Sequence, residues 1–364
     1  MRRVLKWSVI FAAVAIVLTP LPRASVERAY ARGAYPLIQP RLTSLTNRTP
    51  VAWFDVMVLF VGGGVVAMWI ARLRHVRRSH SGEGGRPTGV LKTMGGLAVD
   101  TAAVAAVIYL WFLIAWGLNY QREPLSTQLD FREDRITREA LRDLALRNIE
   151  SLNALHKNAH AGGWPELQAV PGRLAPAFLR AQRDLAMTWQ AEPGLPKRSL
   201  LNFYFTRVSI DGMTDPFFLE TLANQSLLPF ERPATVAHEW GHLAGYADES
   251  EANFLGWLIC MRGSTPERYS GWLSLYGTVM NSLPRADREE LSRSLDEGPR
   301  EDLRAIAERI QRQALPMASR AGYALYDRFL KANRVEAGIR SYSEVLRLLL
   351  GTKFNDDGSP VLRQ

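Results

Sequence analysis

Apolar residues follow two different patterns along the 364-residue chain. Up to residue 118 they come in long runs; beyond Tyr120 they recur at intervals, with charges between them. The first run, Trp7 to Leu21, is interrupted only by Ser8, Thr19 and Pro20. The second, Ala52 to Ala71, carries one charge, Asp55, and the third, Gly95 to Leu118, carries Asp100. A helix of about 20 residues crosses a ~30 Å hydrocarbon core, so the last two runs are long enough to span. The first also fits a signal sequence with an Ala29-Tyr30-Ala31 processing pattern, but a retained span is favoured. The pattern predicts transmembrane helices over about 5–21, 52–71 and 95–118, making residues 1–119 a membrane region.

The remainder, 120–364, reads as one mainly helical domain. Leu141, Leu144, Ala145, Ile149, Leu152 and Leu155 lie on one helical face. A second helix is expected after Pro176, and a Pro/Gly-rich break over Glu192 to Pro196. Asn202–Ile210 (NFYFTRVSI), rich in aromatic and β-branched residues, predicts a strand, and a second is expected within Phe217–Leu228. From Pro233 the pattern is helical nearly to Leu350. The fold class is therefore α+β, mainly α: three membrane helices followed by a domain with a small sheet.

Charge sharpens this division. The net +9 is concentrated in residues 1–95, with 14 Lys/Arg against Glu27, Asp55 and Glu83. The rest of the chain has a balance of −2, which argues against a nucleic-acid-binding face. Nine basic residues (Arg2, Arg3, Lys6, Arg72, Arg74, Arg77, Arg78, Arg86 and Lys92) fall on one side of the predicted spans. Five (Arg23, Arg28, Arg32, Arg41 and Arg48) fall on the other. The richer side is expected in the cytoplasm and the 120–364 domain outside it. A single cysteine, Cys260, excludes an intramolecular disulfide framework and reads as a small buried hydrophobe.

Residues 231–257, ERPATVAHEWGHLAGYADESEANFLGW, concentrate the chemistry. His238 and His242 are four residues apart, on one helical face, between Pro233 and Gly245. Both imidazoles can reach one ion, and Glu239 is placed to take a proton from water beside it. The third ligand has three candidates: Glu249, favoured because Asn253 shares its helical face, then Glu251 and Asp248. His156 and His160 are also four apart but lack a Glu between them, and read as a solvated face. His75 and His80, in the basic segment, read likewise.

These motifs resemble a gluzincin-type zinc metallopeptidase. Glu249-x-x-Ala252-Asn253 matches that group's second helix, although seven residues from His242 to Glu249 is a short interval. More specifically, the chain resembles an uncharacterised bacterial family with three N-terminal spans, catalogued only as a domain of unknown function. The matching stretches are Tyr35-Pro36, Leu42–Thr46, Trp116–Tyr120, Pro216–Asn224, Ala234–Gly245, Glu251–Phe254 and the Gly338–Tyr342 region. The resemblance implies one Zn²⁺ per chain on His238, His242 and Glu249, with Glu239 catalytic and Asn253 supporting a ligand histidine. It implies a multi-pass bacterial cell-membrane protein, in contact with the bilayer, that cuts a peptide or protein substrate. Zincin folds set an edge strand beside the active helix; Phe217–Asn224 is expected there, with Glu220 as a possible substrate contact. An oxyanion donor is also expected, and Tyr323, Tyr326 and Tyr342 come from the right part of the chain, but each reads first as core packing. Two other readings stay open: a catalytically silent zinc-binding sensor or scaffold, and a zinc hydrolase of cell-envelope substrates.

Overall fold

The computed structural model describes residues 2–19, 21–80, 88–315 and 344–363, with isolated positions between; side chains are described outside 2–3, 75–80 and 88–92. Tyr323, Tyr326, Tyr342 and the Gly338–Tyr342 stretch lie outside the described residues, as do the side chains of His75 and His80.

Helix α1 (Arg2–Leu18) is followed by α2 (Arg23–Val26), a π-helical stretch (Glu27–Ala34) and α3 (Tyr35–Thr46). Two long helices come next, α4 (Trp53–His80) and α5 (Thr88–Ala115). Two segments among the described residues are long and apolar enough to cross a membrane: Trp53–Arg74, of 22 residues, and Thr93–Ala115, of 23. Only 6% and 22% of their most apolar windows are buried, so neither behaves as the core helix of a soluble protein. The expected third span is corrected here. At 17 residues and 1.5 Å per residue, α1 reaches ~25 Å, about a turn short of the hydrocarbon thickness. It packs along α5, with Lys6 and Arg72 of α4 both bonded to Asp100.

Beyond α5 the body is built on helices: α6 (Arg138–Ala161), α7 (Val170–Asp184), α8 (Asn202–Val208), α9 (Arg232–Leu243), α10 (Glu249–Met261), α11 (Thr265–Ser282), α12 (Arg285–Ser292), α13 (Glu297–Gln313) and α14 (Val345–Gly351). Leu144, Ala145, Ile149 and Leu152 of α6 turn inwards as their spacing predicts, against α11. Helix α7 begins earlier than expected, with Pro171 in its first turn and Pro176 within it.

The sheet is small and mixed, in the order β1–β3–β2. Strand β1 (Pro196–Lys197) runs parallel to β3 (Glu220–Ala223), and β2 (Gly212–Asp215) runs antiparallel to it. Two strand expectations are corrected. Asn202–Val208 is helical because Phe205 and Val208, three apart, turn inwards; Phe205 clusters there with Ala52 and Leu222. The strand at Glu220 is the central one; β1 and β2 are the edges, and β2 is the edge that packs on α9.

Residues 27–47 pack into the body rather than lying on it as a linker. The Tyr35 hydroxyl donates to Leu243 O at 2.9 Å, the Thr43 hydroxyl to Leu219 O at 2.9 Å, and the Asn47 amide to Pro193 O at 3.0 Å. Arg122, just past α5, bonds Glu27 and Gly245 O and lies over the Tyr246 ring. The C-terminal end of α5 and the body therefore share one core, which contains Tyr35, Phe112, Trp116, Trp240 and Phe254.

Candidate metal centre

Helix α9 carries Pro233 in its first turn, where a missing N–H costs nothing. It ends before Gly245, whose φ of +89° turns the chain sharply towards α10. Asp248 caps α10, its side chain accepting from Ser250 N at 2.8 Å. The two helices approach closely at two glycines. A Cβ on Gly241 would sit 2.9 Å from Ala252 O, and one on Gly256 2.9 Å from His238 N.

This approach brings the first turn of α10 beneath the imidazoles. Glu249 Oε2 is 3.3 Å from His238 Nε2 and 3.6 Å from His242 Nε2. Three donors bound to one zinc at about 2.0–2.1 Å in a tetrahedron would stand roughly 3.3 Å apart. The Tyr246 carbonyl, 2.8 Å from His242 Nδ1, can only accept, so it assigns the proton to Nδ1 and leaves the Nε2 lone pair facing Glu249. His238 Nδ1 is buried with no hydrogen-bond partner among the described residues. Two imidazoles and a carboxylate converging this way fit a divalent cation.

Electrostatics agree with that donor set. Burial opposes ionisation of Glu249, but His242 and His238 overcome it and hold the carboxyl well below its usual range. Burial also disfavours charge on His242, yet Glu249 outweighs it and pushes the metal-free ring up to about 9. His238 keeps 18% of its side chain exposed while His242 and Glu249 are buried, so the cluster opens on the His238 side.

The other acids are occupied elsewhere. Asp248 is the cap of α10, and Glu251 accepts from Leu125 N at 2.6 Å. Asn253 is half-buried and bonds neither histidine among the described residues. Glu220, expected on an exposed edge strand as a surface residue or a substrate contact, is corrected to a buried position on the central strand. It is fully buried on β3, bonded to Lys197 Nζ at 2.6 Å and to Phe54 N at 3.0 Å.

Glu239 is buried beside the cluster, and the Thr214 hydroxyl lies 2.8 Å from its Oε2. Burial pushes its carboxyl up, opposed by His238, His242 and Thr214. Gly212 packs against the same side chain: a Cβ there would come within 2.5 Å of Glu239 Oε1. Sequence reasoning missed both contacts of β2, since nothing local marks a threonine 25 residues upstream as a partner. Trp116 was visible only as part of a matching stretch; its indole donates to His242 O at 3.2 Å.

A second convergence involves His156 and His160, whose expected solvated face is corrected. Their ring centroids lie 4.5 Å apart, tilted by 36°, and both rings turn towards Asp302 of α13, with His160 Nε2 2.9 Å from Asp302 Oδ2. The Tyr269 hydroxyl donates to the same oxygen at 2.6 Å. The Trp164 indole, 3.4 Å from His160 Nδ1, favours the proton on Nε2, which then donates to Asp302. His156 Nε2 stands 3.6 Å from the same oxygen, so these three groups also converge closely enough to hold a cation, but no carboxylate like Glu239 lies between the two histidines in the sequence.

Together these features define a mainly helical protein with two membrane-length helices and a buried two-histidine, one-carboxylate cluster. The chain belongs to the family described as Protein of unknown function (DUF3810), whose profile matches residues 30–350. The matched region takes in both long helices, residues 30–47 of the packed segment and the whole cluster, and leaves out α1. No curated protein and no solved structure matches the chain.

Proposed function

We propose that this protein is a membrane-anchored zinc metallopeptidase of the gluzincin type, with its catalytic body outside the cytoplasm. The observation that carries the reading is Glu249 Oε2 lying 3.3 and 3.6 Å from two imidazole nitrogens, with Glu239 beside them. His238, His242 and Glu249 would hold one Zn²⁺, leaving a position open on the exposed side of His238. A zinc ion there would supply a Lewis acid for the scissile carbonyl and lower the pKa of water towards ~7.

Glu239 takes the proton from the attacking water and delivers it to the departing amine. Thr214 holds that carboxylate in place, and Gly212 leaves room for it. Strand β2 pairs with β3 on one side, and an extended peptide can add along its other edge, beside Glu239. A merely structural ion would not require Glu239 or its Thr214 contact, which weighs against a silent scaffold.

The topology follows from the two long helices. Arg72, Arg74, Arg77, Arg78, Arg86 and Lys92 between them face the cytoplasm, so Trp53 and Ala115 both end outside whether or not α1 crosses. The test is cleavage of an unfolded protein by the detergent-purified full chain, with and without chelator. The wild type should cut and zinc should restore the chelated enzyme; Glu239→Gln should keep its metal and lose turnover. Chelator-sensitive cleavage by Glu239→Gln would overturn the assignment, and cleavage of peptidoglycan but not protein would move the substrate to the cell wall.

A further inference from the structure

A pocket of ≈ 560 Å³ opens beside α8, formed by residues the catalytic reading does not use. Among the described residues its lining includes Arg198, Arg207 and Arg312 together with Leu200 and Phe203, and contains no acid. Arg207 lies over the Phe203 ring at 5.1 Å. Arg312 meets Glu308 at 3.5 Å in a solvent-exposed pair, which is worth little and leaves the guanidinium available to an anion. Leu200 and Phe203 are each 71% exposed, and Tyr204 beside them 41%. A basic pocket with an uncovered apolar lip suits an amphiphilic anion better than a soluble one, which would leave both side chains in water.

The pocket is fixed at a particular height on the molecule. Asp55, in the first turn of α4, accepts from the Ser199 hydroxyl at 2.6 Å and from Leu200 N at 2.7 Å. Asp55 and Ser199 are both buried, so this joint holds the pocket to the end of the helix. If Trp53–Arg74 spans the bilayer, Leu200 and Phe203 stand where hydrocarbon meets headgroup, a zone that favours aromatic rings and lets long arginine side chains reach the headgroup layer.

We propose that this pocket binds the headgroup of an anionic phospholipid, its phosphodiester held by Arg198 and Arg312 beside the Arg207–Phe203 contact and its acyl chains laid on Leu200 and Phe203. The proposal rests on α4 and α5 crossing the membrane, and does not depend on zinc or on catalysis. Arg198 directly follows β1, which pairs with the sheet beside Glu239, so a bound lipid would seat the cleft at the membrane surface. Substrate would then be cut close to the bilayer.

The test uses the full chain in detergent, with retention of phosphatidylglycerol and phosphatidylcholine followed by native mass spectrometry. Phosphatidylglycerol should be retained preferentially. Arg198→Gln and Arg312→Gln should each weaken that retention roughly fivefold, and the double variant about 25-fold, without changing the melting temperature. Millimolar inorganic phosphate should not compete. Unchanged retention in the double variant, or no preference over phosphatidylcholine, would overturn the proposal. Competition by phosphate would overturn it in favour of a soluble anion. Alkaline carbonate washing of membranes separates the two layers of the argument. A chain released by carbonate defeats the membrane reading and this proposal together; a chain that resists it, with lipid retention unaltered by substitution, defeats the pocket alone.

Discussion

The Cα of Gly256 lies directly against the backbone of His238, and a Cβ added there would stand 2.9 Å from both His238 N and His238 Cα. The close crossing of α9 and α10 that sets Glu249 beneath the imidazoles therefore depends on a missing side chain. Gly256→Ala gains some helix propensity but forces two rigid backbones apart, and overpacking of this kind costs about 1–3 kcal/mol. The expected result is weaker zinc binding with a modest drop in melting temperature, read by competition against a chromogenic chelator. Unchanged affinity would show that the crossing tolerates the methyl group.

Thr214 and Glu239 are joined at 2.8 Å in a buried setting, where a hydrogen bond to a charged group contributes about 1.5–3 kcal/mol. Thr214→Val keeps the shape and removes the donor. Metal content should be unchanged while turnover falls on the order of 10–100-fold. Thr214 favours the ionised carboxylate, so its loss raises the Glu239 pKa further, and the acid limb of the pH–rate profile should move to higher pH. A rate loss with no such movement would mean that Thr214 supports the fold rather than the base.

Burial pushes the Glu251 carboxyl up to about 7, with Asp248 adding to the rise and Leu125 N and Arg122 opposing it. A carboxyl raised above its unfolded value contributes stability that is complete below about pH 4.5 and disappears as pH climbs through about 7. Glu251→Gln keeps an acceptor for Leu125 N and cannot ionise. Relative to this variant, the wild type should lose melting temperature between about pH 5 and about pH 8. Parallel curves for the two proteins would place the Glu251 titration elsewhere.

His238, Glu239 and His242 could be read from the chain because one helical turn fixes their relation, whatever the rest of the fold does. The choice of Glu249 was half visible in its spacing from Asn253. What removes its rivals is tertiary: Leu125 N takes Glu251, and Asp248 becomes a cap. Glu220 was misjudged because its partner Lys197 lies on a strand of two residues, too short to produce a pattern. NFYFTRVSI has strand-forming composition, yet packing of Phe205 among Ala52 and Leu222 sets a helix there. The sequence around His156 and His160 does not show their partner because Asp302, which gathers them, is more than 140 residues away. The first apolar run was long enough only if it continued through Thr19 and Pro20, and α1 stops at Leu18.

The most direct test of the central claim is zinc counted per chain in the full-length protein and its single-acid variants, after exhaustive chelation and reloading. The wild type, Asp248→Asn and Glu251→Gln should each return one zinc per chain, and Glu249→Ala should return almost none. Zinc that persists in Glu249→Ala but leaves with Glu251→Gln, or a wild type that takes up none, would contradict a centre built on His238, His242 and Glu249.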